Sequence, residues 1–423
     1  MLEQSTDHPQ VLLPAVVETF GGRSRIGPVE IRPDIPFERD LLPNGEYSVL
    51  SDVETNTGHL LKIDGRSEPF AVKTFLKPKH SYLDFRELWK RLWSLAAEFQ
   101  TVSGAQREWP EAERTHLGLV GIQDQQDGKV EFAQLSLEEQ SGLEPALVMR
   151  WLPQENNLFH LMFRDPEHFY RLLPSSVRAI RDAQVGLGRD DALRYGGAEA
   201  VFNWIDKGNL NNLRKSPHQE DRELADEFWS EFSSFVLRYQ DAIDGRARTS
   251  GAIVRGNGDT KPLNAFRVND RVAFIDPITL LLRTGEGRDD YAFAPWSLHD
   301  RVAELGYFTV YLKALESTAE QQHGVTHPRM AQMKDFRWLS LRHYETHYGE
   351  DPSRGKLSAL HLMYEAGYAS VEYELVQRDP QILGAHNGLG SAEAVAQGLK
   401  DVMMASLREA KRVAQENQME QGW

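Results

Sequence analysis

The residues best suited to chemistry lie in one short stretch, Gly256-Asn257-Gly258-Asp259-Thr260-Lys261-Pro262-Leu263-Asn264. It runs on through Ala265–Val268, a turn at Asn269-Asp270, Val272–Ile275 and then Asp276-Pro277. Asn264 follows Asp259 by five positions, and a tight hairpin after it returns Asp276 beside both. Two carboxylates and an amide then share one small volume, with Lys261 nearby. Such oxygen donors suit a hard divalent cation such as Mg2+, which keeps few protein ligands and shares the rest with phosphate oxygens. The second odd residue is Lys73, at the end of the apolar run Ala71-Val72-Lys73. A lysine inside an apolar strand is unfavourable unless it is paired. The segment after it offers Glu87 and Glu98, and either could hold the ammonium toward anionic phosphates. The two lie eleven residues apart, about three helical turns, and so share a face. Glu98 sits between Leu95 and Phe99, whereas Glu87 sits among Arg86, Lys90 and Arg91, and the pattern favours Glu98.

These residues need elements to hold them. Residues 1–44 are rich in Pro and Gly and read as an extended arm. From residue 45 to 152 the pattern is that of strands: Tyr47–Glu54, His59–Ile63 and Pro69–Leu76 form an antiparallel meander. Leu117–Ile122 and Lys129–Leu135 add two strands around an Asp127-Gly128 turn, and Ala146–Leu152 is a final apolar run. One helix interrupts them, Ser81–Thr101, with Leu88, Leu92, Leu95 and Phe99 at helical spacing. Beyond Pro153 the chain reads as helical to residue 423, apart from the β island Ala252–Leu282. Short helices are expected over Pro166–Leu173 and Ser175–Val185. Longer ones are expected over Asp221–Asp241, Trp296–Glu316, Pro328–Tyr348, Lys356–Glu374 and Ala392–Gln415. The expected organisation is an arm, a small β-rich lobe over 45–152, and a large helical lobe over 153–423 that carries the loop at 256–276.

Composition narrows the classes. The chain has 423 residues, 40% hydrophobic and 26% charged, with a net charge of −15 and no cysteine. A sizeable core is available. Disulfides, thiolate zinc sites and thiol nucleophiles are excluded. The acidic balance argues against a dedicated nucleic-acid binder, although a local basic pocket can sit in an acidic protein. No run of apolar residues is long enough to span a bilayer, and Met1–Asp7 lacks the start of a signal peptide. The expectation is a cytoplasmic chain with no membrane partner. Nothing in the pattern speaks to oligomeric state.

The ordered set resembles the protein kinase-like superfamily, closest to the aminoglycoside phosphotransferase type of small-molecule kinase. Lys73 matches the strand lysine of that family, Glu98 or Glu87 its helix glutamate, Asp259 to Asn264 its Asp-x-x-x-x-Asn loop, and Asp276 its metal-binding aspartate. The resemblance covers about residues 45–315. It implies an α+β bilobal fold and Mg2+-assisted transfer of the γ-phosphate of ATP to a hydroxyl of a small molecule. In that scheme Asp259 is the base, Lys261 stabilises the transferred group, and Asn264 and Asp276 hold Mg2+. Lys73 fixed by Glu98 neutralises the phosphates, and Val148, Met149 and Trp151 of the run Leu147–Pro153 face adenine. Lys261-Pro262 is similar to the loop of Ser/Thr kinases, so a protein acceptor stays open; no Ala-Pro-Glu motif supports one. Nucleotide transfer and a non-catalytic binding module of the same fold also stay open. Asn257 stands where the family has His or Arg, Pro277 follows Asp276, and the first hairpin holds one glycine, Gly58, beside Asp52 and Glu54.

Other motifs read more simply. His343 and His347 are spaced for one helix face but lack a third ligand, and they read as that face alone. Gly256-x-Gly258 lacks the third glycine of a dinucleotide loop. Trp204, Asp289, Asp290, Tyr291 and Trp296 are candidates to line the pocket of a polar, cationic substrate, and Asp289 and Asp290 could equally cap a helix.

Overall fold

The computed structural model describes residues 46–423 apart from 56–57, 65–68, 75–93, 96–97, 100, 126–128, 134–143, 278–280, 284–290, 294–297, 324–327 and 379–391. The expected N-terminal arm, most of the helix expected over 81–101, Glu87, Asp289, Asp290 and Trp296 lie outside the described residues. Contacts divide the chain into two units.

The first unit carries six strands: β1 Glu46–Thr55, β2 Gly58–Ile63, β3 Phe70–Thr74, β4 His116–Gln125, β5 Lys129–Ala133 and β6 Glu144–Arg150. They close into a barrel in the order β1-β2-β3-β6-β4-β5. The meander expected from the turns is β1-β2-β3. The closure comes from β5 returning to β1, with Tyr47 opposite Val130. Alternation sorts the side chains, since successive residues of a strand point to opposite faces. Leu61, Ile63, Phe70, Val72, Val120, Ile122, Ala146 and Val148 fill one cluster inside the barrel. Ala71, Leu147 and Met149 form another with Leu95, and Phe99 packs against it. Leu95 and Phe99 of the 81–101 helix therefore lie over the outer face of β3 and β6, the face on which Lys73 also falls.

The second unit is mainly helical. Its principal helices are α1 Leu158–Arg164, α2 Pro166–Asp182, α3 Gln219–Arg238, α4 Arg301–His323, α5 Pro328–Tyr348, α6 Gly355–Arg378 and α7 Ala392–Glu416. Residues 166–182 form one helix, not two. Pro174 removes one backbone donor, but a buried stripe from Phe169 through Leu173 to Ile180 runs across it and holds both halves on the core. Asp165 caps the start, accepting from His168 N at 3.0 Å. The helix expected from Trp296 starts at Arg301, because Leu298–Asp300 pairs with Ile253–Arg255 as a strand. Asp300 Oδ1 then caps α4 at Val302 N, 3.0 Å away. Leu224, Phe228, Phe232, Phe235 and Val236 of α3 are buried, as their spacing requires. Trp204 is also core, packed on Tyr364 and Tyr368 and against Gly367, so it lines no acceptor pocket.

Candidate active site

In the β-barrel unit, Lys73 Nζ donates to Glu98 Oε2 at 2.7 Å. The pair is shielded, with the lysine side chain 14% and the glutamate 2% exposed. Alternation explains the placement: Phe70 and Val72 enter the barrel, so Lys73 must leave it on the helix side, where Glu98 satisfies it. A buried ion pair of this kind is weak evidence of stability, but breaking it by removing one partner costs about 3–5 kcal/mol. Glu98 has a second neighbour that the sequence reading lacks. His116 Nε2 lies 3.4 Å from Glu98 Oε1, and its Nδ1 meets Thr115 Oγ1 at 3.1 Å. On the first hairpin, Asp52 Oδ1 meets His59 Nδ1 at 2.7 Å.

Val148 and Met149, expected to face adenine, both belong to β6. Both lie within the ladders of β6 to β3 and to β4, so their backbone groups are engaged on either side. The Val148 side chain is wholly buried inside the barrel. Trp151 is the first residue beyond the strand, and Lys62 Nζ lies 4.5 Å from its ring centroid.

In the helical unit, residues 256–276 form a closed loop and hairpin. Pro262–Asn264 is a single 3-10 turn, in which Asn264 N donates to Lys261 O at 3.0 Å. Ala265–Val268 then pairs with Arg271–Phe274 across Asn269-Asp270. Ile275 N donates to Asn264 O at 2.9 Å, which returns Asp276 beside Asn264. The Asn264 amide nitrogen donates to Asp259 O at 3.3 Å, leaving its Oδ1 as the ligand atom. Asp276 is exposed and has φ +57°, a left-handed conformation uncommon outside glycine and characteristic of functional sites.

Asp259 and Lys261 are held tightly. Lys261 Nζ is 3.2 Å from Asp259 Oδ1 and 3.2 Å from Glu372 Oε1. Burial pushes the Asp259 carboxyl up to about 6, with the Glu372 and Asp276 carboxylates adding to the rise and the Lys261 ammonium and a Tyr307 hydrogen bond opposing it. Burial works against the Lys261 charge, yet Asp259 and Glu372 hold its pKa above the ordinary lysine value. Asp259 Oδ1 is buried, and the Lys261 ammonium at 3.2 Å faces it as an ion pair without full hydrogen-bond geometry.

Glu372 and Glu304 were not among the residues singled out by sequence. Glu372, on α6, has no exposed side-chain surface and also accepts from the hydroxyls of Tyr307 and Tyr311 of α4. Glu304, equally buried on α4, accepts from Gly258 N and from Gln184 Nε2, each at 2.7 Å. A Cβ on Gly256 would stand 2.4 Å from Glu304 Oε1, and Gly258 has φ +77°. The two glycines thus serve the approach of Glu304 and a left-handed turn. Asn257 Oδ1 accepts from Asp259 N at 3.1 Å, so the asparagine sets the backbone of Asp259. A signal for both glutamates exists: each is a carboxylate inside an apolar helical run, Val302-Ala303-Glu304-Leu305 and Ala369-Ser370-Val371-Glu372-Tyr373. The same reasoning that selects Lys73 applies to them.

His343 and His347 gain no third ligand among the described residues. Among the described residues no group of three or more His, Asp or Glu gathers in metal-binding proximity.

No family model matches the chain, and no curated protein matches it. Solved structures do. A chain from Ralstonia eutropha that bears the provisional name of an aminoglycoside phosphotransferase aligns at 12% identity, over 86% of this chain and 93% of its own, with a TM-score of 0.39. A microcompartment-associated aminopropanol kinase aligns at 8% identity over 88% and 94%, also at 0.39. A spectinomycin phosphotransferase, solved with ADP and spectinomycin, aligns at 10% identity over 86% and 93%, at 0.33. With TM-scores below 0.5, these likenesses carry none of the functional reading, which rests on the residues themselves.

Proposed function

We propose that the chain is an ATP-dependent phosphotransferase that moves the γ-phosphate to a hydroxyl group of a small molecule. The observation that supports it best is the set Asp259, Asn264 and Asp276, gathered by one hairpin closed through Ile275 N and Asn264 O. Its donors fit Mg2+: a strained, exposed carboxylate, an amide oxygen freed by the turn of its nitrogen, and no more protein ligands than that ion takes. When bound, Mg2+ would neutralise charge on the phosphate oxygens.

The residues divide the remaining work. Asp259 orients the acceptor hydroxyl through its carboxylate, which Lys261 positions, and takes the proton as the oxygen–phosphorus bond forms. A carboxyl raised to about 6 is a better proton acceptor than an ordinary aspartate and is still ionised at neutral pH. Lys261, kept charged between Asp259 and Glu372, stabilises the transferred group. Lys73, fixed by Glu98, meets the phosphates of ATP. Adenine recognition falls to Trp151 and the residues after it, because the backbone of Val148 and Met149 is engaged in the sheet.

The test is ADP release from ATP with Mg2+ and a panel of alcohols and amino alcohols. Asp259→Asn is expected to lower turnover by about 10²- to 10⁴-fold while the fold persists. Full turnover in a folded Asp259→Asn variant removes the assigned base. Label passing from ATP to protein rather than to a small molecule would replace the acceptor class.

A further inference from the structure

The helical unit holds a cavity of about 650 Å³ between the 101–114 segment, α2 and Arg271–Phe274. That volume lies within the range of small-molecule sites. Five arginines line it, Arg107, Arg171, Arg178, Arg181 and Arg271, against the carboxylates Glu108, Asp182 and Asp270. This excess of cations stands out in a chain of net charge −15.

The arginines are incompletely neutralised. Arg178 and Arg181 share the one carboxylate of Asp182, at 3.9 Å and 2.7 Å. Arg271 lies over the Trp109 ring at 5.4 Å and reaches Glu113 at 3.5 Å. Arg171 Nε turns only to the backbone oxygen of Glu167, and neither it nor Arg107 forms an ion pair among the described residues. His347, also in the lining, reports the sign of the field: burial lowers its pKa first, and the charges of Arg181 and Arg178 lower it further.

We infer that this cleft is a binding site for a small molecule carrying more than one phosphate group. Guanidinium forks match phosphate oxygens two at a time, and several forks around one cavity suit a polyphosphate better than a lone anion. The acidic remainder of the chain repels a long polyanion, which favours a compact ligand over a nucleic acid. One wall reaches Asn257, whose side chain sets the backbone of Asp259. The binding itself does not depend on phosphoryl transfer.

The experiment uses the full chain carrying Lys73→Ala, in chelator and at constant ionic strength, so that neither metal nor the Lys73 ammonium captures the probe. Pyrophosphate is titrated calorimetrically, with a short single-stranded oligonucleotide as competitor. Saturable one-to-one binding is expected, undisturbed by the oligonucleotide. Adding Arg171→Ala and Arg178→Ala, both exposed, is expected to weaken it about tenfold or more without moving the unliganded Tm. Arg107→Ala, on a different segment, is expected to weaken it as well. No saturable binding at millimolar pyrophosphate, equal binding in all the arginine variants, or displacement by the oligonucleotide overturns the inference. Turnover with ATP is measured separately on the wild-type chain, and its absence would count against the phosphotransferase reading alone.

Discussion

Asp259→Asn separates stability from activity in a way that can be worked from the structure. The Asp259 carboxyl is 17% exposed and is raised from 3.8 to about 6, chiefly by burial. Between those values the folded chain holds the proton more tightly than the unfolded chain does. Stability from this group is therefore fully present below about pH 4, falls as pH rises toward 6, and stays low above it. The whole difference is worth about 3 kcal/mol, at about 1.4 kcal/mol for each pH unit between the two values. Roughly half of it falls between pH 5 and pH 8. An asparagine has no such proton to lose. Relative to wild type, Asp259→Asn should gain about 1.5 kcal/mol of stability on going from pH 5 to pH 8. Urea unfolding of both chains at the two pH values reads this directly, and the contributions of groups not coupled to Asp259 cancel in the difference. Wild-type turnover should fall on the acid side of about pH 6, as the base becomes protonated. The reasoning fails if the variant loses stability relative to wild type over that interval, or if wild-type turnover is flat from pH 5 to pH 8.

Other perturbations test the supporting residues. Glu372→Gln removes a buried carboxylate that accepts from Lys261, Tyr307 and Tyr311, and should destabilise the chain by about 3–5 kcal/mol, seen as a lower Tm. Because the Glu372 charge helps to raise Asp259, the acid limb of the turnover profile should also move to lower pH in that variant. Gly256→Ala drives a Cβ to 2.4 Å from Glu304 Oε1 and should cost about 1–3 kcal/mol, with loss of turnover as the loop shifts. Glu98→Gln removes the carboxylate charge to which Lys73 donates and should weaken ATP binding, measured by calorimetry, more than it changes the Asp259-dependent pH profile.

Legibility followed sequence distance. The hairpin that returns Asp276 is local, with turn residues at Asn269-Asp270 and a carboxylate and amide at fixed spacing, so the pattern alone suggests it. Lys73 betrays itself by polarity, as a charge in an apolar strand. Barrel closure leaves no such mark, since Tyr47 and Val130 pair across the whole unit and neither has a local signal for the other. An apolar run next to Pro153 looks like a connecting segment, yet Val148 lies inside a strand paired on both sides. The contact of Lys261 with Glu372 spans 111 positions, into a helix that lay outside the family resemblance. Pro174 shows the opposite error. A helix breaker suggested two helices, and a continuous buried face overrode it.

The most direct measurement is calorimetric titration of ATP into wild type, Lys73→Ala and Asp276→Asn, each with Mg2+ and with chelator. Saturable binding to wild type that tightens with Mg2+, weakens in Lys73→Ala, and loses its Mg2+ dependence in Asp276→Asn is the predicted result. An absence of ATP binding to wild type with Mg2+, or binding that neither substitution alters, would contradict it.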